Sequence, residues 1–600
     1  MKKLICILSL IQFYSAARAI QAETTQEISA VLPVRPDTAF SLLYADSNSL
    51  QGSDYSSFAD IVNSLAGVYH YDSHSMGVPA PVSPACSPPG EFTLEYDGLI
   101  LNDPVNGKAD VYLIPTESMG TAGLEQGLYQ HFSTGQTVRI TSQDRSYIPL
   151  HSKIAYRPGT YQRNQFDVRL GVQINPTTDF NAGALTRAFG GVMPHSAYRS
   201  TIWNAKLDKH YKHASLSYLW YQYSDHQRFP LKSPLPGWQS LEEPHRKRFR
   251  NDHALFLRSG NFRASAQLTL YDRNDFGSDR SQLDQSHTVR RLYVKTAYQD
   301  SISRLGYGMG LFGRFDRFQS DTWKDIKDSQ YGGWLHVSAR LKNLTGEAGF
   351  NVKTQSQHSF LLPQLRIRLK TGEKSALSVY AGQNILRPSI EERHGRGPFA
   401  TGNDSLKAAT LTHTGLNWQI NRSRFQILAG MAVQHRKHLP VAVFDHDKIQ
   451  YNNFDAHTCG SMTIALNYQP TVHWGAHARL LFYQDVSDSF IAANRPDLYS
   501  RFYISYQNIF FQRDLNLMLR LGGEYIGYRK GPVPVYSEYS DITVTLSPRI
   551  IPYAHISATI GRVDLFAVIE NPAGWNFQQV YGFDTPRALI RYGIVWTFDD

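Results

Sequence analysis

The chain has three cysteines in 600 residues. Cys6 falls in the N-terminal apolar stretch, which leaves Cys86 and Cys459 in the body of the chain. Two cysteines so far apart make no disulfide framework and match no metal-type spacing. No stretch approaches about 18 consecutive apolar residues, so helical membrane spans are excluded. The sequence also lacks G-x-S-x-G, H-E-x-x-H and a phosphate-binding glycine loop, and with them any pattern for hydrolytic or nucleotide chemistry. No enzyme activity and no cofactor are expected. Charged residues make up 19% and mean hydropathy is −0.37, which fits neither a disordered chain nor a helical membrane protein.

Aromatic residues are plentiful at 12%, with 35 Tyr and 31 Phe. That suits a sheet protein, above all one whose rings sit at a membrane interface. The opening "MKKLICILSLIQFYSAARAIQA" places Lys2 and Lys3 before an apolar run and then small residues. It reads as a secretory signal peptide over 1–22, cleaved after Ala19 or Ala22, with a run too short to span a bilayer. An exported, cysteine-poor chain of this kind is either a large secreted β-protein or an outer-membrane barrel.

Alternation decides between them. In "QFDVRLGVQI", Phe166, Val168, Leu170, Val172 and Ile174 share one face, with Gln165, Asp167, Arg169 and Gln173 on the other. "DLNLMLRL" sets Leu515, Leu517, Leu519 and Leu521 against Asn516 and Arg520, and "DITVTL" repeats the pattern at Ile542, Val544 and Leu546. Period two marks strands with one apolar face, and segments of about ten residues are long enough to cross a bilayer when tilted. Long polar spacers at 225–253, 271–289, 388–410, 486–500 and 570–587 are expected as outer loops. The C-terminal "ALIRYGIVWTFDD" alternates Ile590, Tyr592, Ile594, Trp596 and Phe598 with Arg591, Gly593, Val595 and Thr597. So apolar an edge would be an aggregation hazard in water. From 149 to 600, at roughly 20 residues per strand and connection, about 22 strands fit, a size whose lumen needs a plug. Residues 23–148, with weaker alternation and more Gly and Pro, supply one. The expected fold is therefore an all-β transmembrane barrel of about 22 antiparallel strands around an N-terminal α+β plug.

The chain resembles the TonB-dependent outer-membrane receptors. "FADIVNSLAGVYHYDS" is similar to the family's helix and strand ending in l-p-G-V. "LEYDGLILNDPVNGKADVYLIPTESM" resembles its L-L-D-G-x-P-x-N-D-P segment, through Asp97, Gly98, Asn102, Asp103 and Pro104. "STGQTVRITSQ" resembles the plug's closing strand. In the barrel, Arg387, Pro388, Ser389 and Glu392 resemble an R-x-P-S-x-x-E box, followed by Gly402, Asn403, Leu406 and Lys407 for G-N-P-x-L-K-P-E. Arg591, Gly593, Trp596 and Phe598 resemble the barrel-assembly signal of the last strand. The R-G pair that usually precedes D-G is missing, V-E-V-L-R-G-P is absent, and Ala408-Ala409 replaces the final P-E. The resemblance implies import of a scarce nutrient such as a metal–siderophore chelate, by movement of the plug. It further implies a TonB-contacting segment near 26–35, with Glu27, Ile28, Ser29, Ala30 and Val31 as candidates for strand addition. A passive porin or adhesion barrel with a vestigial plug is the alternative.

Three side-chain patterns remain. "DRNDFGSDRSQL" begins like a calcium loop at Asp272 and Asn274, but Phe276 and Leu283 stand where oxygen ligands belong. "EEPHRKRFRNDH" gathers Arg246, Lys247, Arg248 and Arg250 in an expected outer loop. Basic clusters bind nucleic acid elsewhere; at an exported barrel, lipid phosphates or an anionic substrate are the expected partners. Among 22 histidines, His394 lies between the two barrel boxes, where haem receptors of this family place an iron ligand, and His70 and His74 lie in the plug. A haem receptor is thus a lesser alternative.

Overall fold

The computed structural model describes residues 44–46, 57–71, 76, 82–88, 90–126 and 136–143. From 150 to 599 it describes all but 193–195, 229–244, 277–284, 322, 324, 356–357, 396–399, 446–447, 486–494, 533–542 and 581–582. The signal-peptide stretch, the candidates Glu27 to Val31, and His74 lie outside the described residues.

From Leu150 onward, 22 long strands pair antiparallel in sequence order, and the last, Leu589–Asp599, pairs with the first, Leu150–Gly159. Trp596 faces Ile154 and Phe598 faces Ser152 across this closing seam. Closure leaves no strand edge exposed and satisfies the ladder throughout. Gly593 matters at the seam, because a Cβ there would stand 2.5 Å from the Phe566 ring and 2.6 Å from the Tyr156 carbonyl oxygen. At one end of the barrel the connections are tight, as at 260–261 and 561–562, where Gly260 and Gly561 take positive φ. At the other end they are long, as at 387–408 and 571–588.

The two faces invert the order of a soluble protein. Phe166 is 44% exposed and Ile174 58%, while Asp167 and Arg169 between them are 1% and 2% exposed. Ile590, Tyr592, Ile594 and Trp596 are likewise exposed, and Arg591 is buried. Apolar groups face outward around the whole barrel and charges face the lumen, the arrangement lipid demands.

Two expectations are corrected. The spacers at 225–253 and 271–289 are largely strand: Ala214–Arg228, His245–Ser259, Phe262–Phe276 and Gln285–Ile302 run through them. Barrel strands here reach 21 residues, as in Phe425–Asp445, about twice what a bilayer needs. Beyond the lipid both faces are polar, so the alternation that marks a strand fades. "DITVTL" is not a barrel strand either, since Thr543–Leu546 pairs with Arg529–Pro532 in a separate two-stranded sheet.

The N-terminal domain is built from β1 (Tyr44–Asp46), α1 (Phe58–Val62), β2 (Val68–His70), β3 (Val82–Pro84), β4 (Thr93–Tyr96), β5 (Leu99–Ile100), β6 (Met119–Gln126) and β7 (Gln136–Ser142). Five strands form one sheet in the order β1-β6-β7-β4-β5, with β4 and β7 parallel, and β2 pairs with β3. Ser57 and Asp60 cap α1 reciprocally. The domain's buried core, including Phe58, Leu94, Val111 and Ile140, continues into wall residues Leu185, Ile202, Leu219 and Tyr221. One apolar cluster thus joins plug and barrel.

Candidate functional site

Asp97 and Gly98 turn β4 into β5 with φ of 48° and 89°. Two successive positive φ values are what a tight hairpin turn needs. Asp97 also accepts the Ser142 N–H at 2.7 Å, tying the turn to β7. A Cβ on Gly98 would come within 2.6 Å of Phe256 on the wall, so the turn is pressed against the barrel.

The following N-D-P stretch is held from inside and outside. Asn102 accepts from Leu94 N–H at 2.9 Å and donates to the carbonyls of Phe92 (2.7 Å) and Gly107 (3.0 Å). Asp103 accepts from the N–H groups of Val105 (2.7 Å) and Asn106 (3.1 Å), and its other oxygen accepts the Tyr271 hydroxyl at 2.6 Å. Burial would raise the Asp103 carboxyl, but the Arg273 guanidinium and the Tyr271 hydroxyl hold it below the usual carboxylate range.

Around this segment the wall supplies arginines aimed at plug carbonyls. Arg250 donates to Ile100 (2.7 Å), Leu101 (2.9 Å) and Asn102 (3.1 Å), and Asp252 balances its charge at 2.6 Å. Arg187 donates to Tyr112 (2.6 Å) and Ile114 (3.1 Å), Arg169 to Glu117 (3.1 Å) and Gln143 (2.9 Å), and Arg291 to Pro104 (3.3 Å). Glu117, buried, pairs with Arg157 and Lys153. Carbonyls that leave β-ladders inside a protein need donors. A planar guanidinium reaches two or three at once.

Arg248 bridges plug Asp110 at 2.9 Å and Asp225 of its own wall. Burial keeps the Asp110 carboxyl above its ordinary range even with Arg248 beside it. Arg248 therefore sits on a barrel strand with a plug partner, and its expected place in an outer loop is corrected. Arg246 lies on the same strand, His245–Ser259, and pairs with Asp275. Arg246, Arg248 and Arg250 share the lumen side of this strand and Lys247 turns outward, and each of the three is taken up by its own carboxylates, so the four basic residues do not form one patch. Asp272 and Asn274 are strand residues as well, without the geometry of a calcium loop.

The two barrel boxes meet above the N-D-P segment. Ser389 and Glu392 cap α2 (Ile390–His394) reciprocally, and the Glu391 N–H donates to plug Val105 at 3.2 Å. Arg387, just before Pro388, and Arg393, within α2, both pair with Asp328 of the wall. Gly402 packs on the end of α2, where a Cβ would lie 2.5 Å from the Gly395 nitrogen. Asn403 donates to the Tyr451 carbonyl at 3.0 Å. Between α2, the N-D-P segment, Arg291, Arg314 and Arg387 lies a cavity of about 150 Å³. It is smaller than the roughly 300–1,000 Å³ that drug-sized ligands occupy. A second cavity, of about 530 Å³, runs between α1 and the wall near the short turns, lined by His477, Arg479, Arg501 and His555.

The histidines are not brought together. His394 pairs with Asp404 on the 387–408 connection. His70 ends β2, whose Tyr69 packs on Tyr499 of another part of the wall. Among the described residues no group of three or more His, Cys, Asp or Glu could hold a metal ion.

No carbonyl-binding role was read for the wall arginines in the sequence, where Arg250 stood only as one of a basic cluster in an expected outer loop. A signal was present: Asp167-x-Arg169, Arg250-x-Asp252, Arg273-x-Asp275 and Arg314-x-Asp316 set opposite charges two apart on one strand face. Such pairs on the polar face of a barrel strand mark buried ion pairs in the lumen.

No protein-family model and no curated protein sequence matches the chain. Solved structures do. The siderophore receptor PirA from Acinetobacter baumannii superposes with a TM-score of 0.78 at 10% identity, covering 92% of this chain and 98% of its own. The chain has the fold of the siderophore receptors. The FrpB iron transporter from Neisseria meningitidis (F3-3 variant) gives 0.76 at 9% identity, over 92% and 98%. The ferric enterobactin receptor PfeA from Pseudomonas aeruginosa, a point variant in complex with enterobactin, gives 0.75 at 11% identity, over 92% and 99%. Near-complete coverage extends the siderophore-receptor fold to both the barrel and the domain inside it.

Proposed function

We propose that the protein is a bacterial outer-membrane, TonB-dependent receptor that imports a scarce nutrient, a metal–siderophore chelate or a similar anionic complex. The observation that carries this reading is a lumen closed by a plug whose carbonyls are held by buried wall arginines. A passive pore gains nothing from such a stopper, whereas a gated receptor requires one. The neighbours whose names include a siderophore, iron or enterobactin support the substrate class. In this reading the connections at the long-loop end and the top of the plug bind cargo. TonB pairs with the segment around Glu27 to Val31 and displaces part of the plug, and no bond in the cargo is made or broken.

Deleting residues 26–35 tests it. Uptake of iron chelates under iron limitation should stop while the barrel still assembles in the outer membrane and binds cargo. Uptake that persists without the segment would contradict active transport and favour a passive porin or adhesion barrel.

A further inference from the structure

Cys86 and Cys459 are far apart in sequence and meet at the boundary between plug and wall. Cys86 follows Ala85, a non-glycine residue at φ 45°, in a turn closed by the Ser87 N–H on the Pro84 carbonyl at 3.0 Å. That turn sets Cys86 in a buried cluster shared by plug and wall residues. Cys459 sits on the wall strand Lys448–Tyr468. Both are fully buried in one cluster with Tyr69, Tyr71, Tyr483 and Tyr499, and their thiols touch side chain to side chain. Both are free thiols in this structure. Arg495 donates to the Cys86 carbonyl at 3.3 Å, which brings a guanidinium beside the sulfurs. Burial raises the Cys86 thiol, yet the Cys459 contact and Arg495 together hold it below its ordinary value. Nothing else in the cluster is a metal ligand, and no metal group includes either cysteine among the described residues.

We propose that Cys86 and Cys459 form a disulfide that pins the β3–β4 connection of the plug to the barrel wall. The oxidant is an oxidised dithiol carrier protein of the compartment in which the chain folds. The Cys86 thiolate attacks one carrier sulfur, forming a mixed disulfide and releasing the other as a thiolate. The Cys459 thiolate then displaces the carrier from Cys86. Two protons leave the cysteines, two electrons end on the carrier, and the carrier departs as a dithiol. With both sulfurs buried once the plug is seated, exchange accompanies docking of the plug. The bond rests on the export reading, since reducing compartments keep such thiols apart. It fixes the plug to the wall next to β3, so any opening of the plug proceeds through other segments.

The test uses full-length protein from fractionated cells, denatured in alkylating reagent without reductant, digested and weighed. The expected product is one linked pair of peptides bearing Cys86 and Cys459, lighter by two hydrogens than their sum and separated by reduction. It should vanish in Cys86→Ser and in Cys459→Ser. Both cysteines alkylated in protein recovered from the outer membrane would overturn the bond while leaving the receptor reading intact. Protein found in the cytoplasm would overturn the export reading and the bond with it.

Discussion

Along the wall from Leu150 to Ser320, buried Arg169, Arg187 and Arg250 take the plug's carbonyls two and three at a time, Arg250 backed by Asp252, and the apolar core runs without a break into the barrel. Along the wall from Phe425 to Asp599 the non-covalent ties are single, and only the β3–β4 connection is pinned, by the proposed Cys86–Cys459 bond. Arg479 reaches the Leu65 carbonyl at 2.7 Å, Asn63 the Tyr499 hydroxyl at 3.1 Å and Arg436 the Glu91 carboxylate at 2.6 Å, and a cavity of about 530 Å³ separates α1 from the strands. A plug held this unevenly has a fixed side and a side that can yield. The segment facing the yielding side, α1, follows β1 near the N-terminal end of the domain, where on the proposed function a pull would arrive.

The largest expected effect comes from cutting the fixed side. Arg250→Ala leaves three plug carbonyls and the buried Asp252 without their cation, a loss of about 3–5 kcal/mol by the usual cost of breaking a buried pair. Planar-bilayer recordings should show open-channel steps where the parent protein is silent, and silence would mean the clamp does not hold the plug. Gly98→Ala comes next, at about 1–3 kcal/mol, because the added methyl meets Phe256 at a residue of φ 89°. Thermal unfolding should fall accordingly, and adding Phe256→Leu should recover the steric share of the loss but not the backbone share.

On the yielding side, Arg479→Ala should cost only about 1 kcal/mol, since water in the neighbouring cavity can replace the lost donor. An effect as large as that of Arg250→Ala would erase the difference between the walls. The smallest effect is that of acid on Asp103. Its carboxyl is depressed in the folded protein, so its contribution is complete above the ordinary carboxylate value of about 3.9 and is lost as pH falls through the folded value. Protection of the Val105 and Asn106 amides, measured against their intrinsic exchange rates, should stay flat from neutral pH and fall only below about pH 4.

Much of this was legible in the sequence. Period-two alternation gave the barrel, and the turn chemistry of Asp97-Gly98 and Asn102-Asp103-Pro104 placed the plug's upper segment. Strand ends were misjudged where the strands leave the lipid, because residues such as Arg246 and His287 have no apolar partner face there. The clamp stayed hidden because an arginine on a polar strand face looks the same whether it meets water or a plug carbonyl. The meeting of Cys86 and Cys459 was hidden for the same reason: it depends on which wall the plug turns toward, and spacing along the chain carries no such information.

Hydrogen exchange of the full-length protein in lipid nanodiscs compares the two walls directly. Peptides spanning 94–114, held by Arg250 and Arg187, should exchange at least about tenfold more slowly than those spanning 58–71, a factor that corresponds to about 1.4 kcal/mol. Equal rates, or slower exchange in 58–71, would contradict a plug anchored on one wall and free to yield on the other.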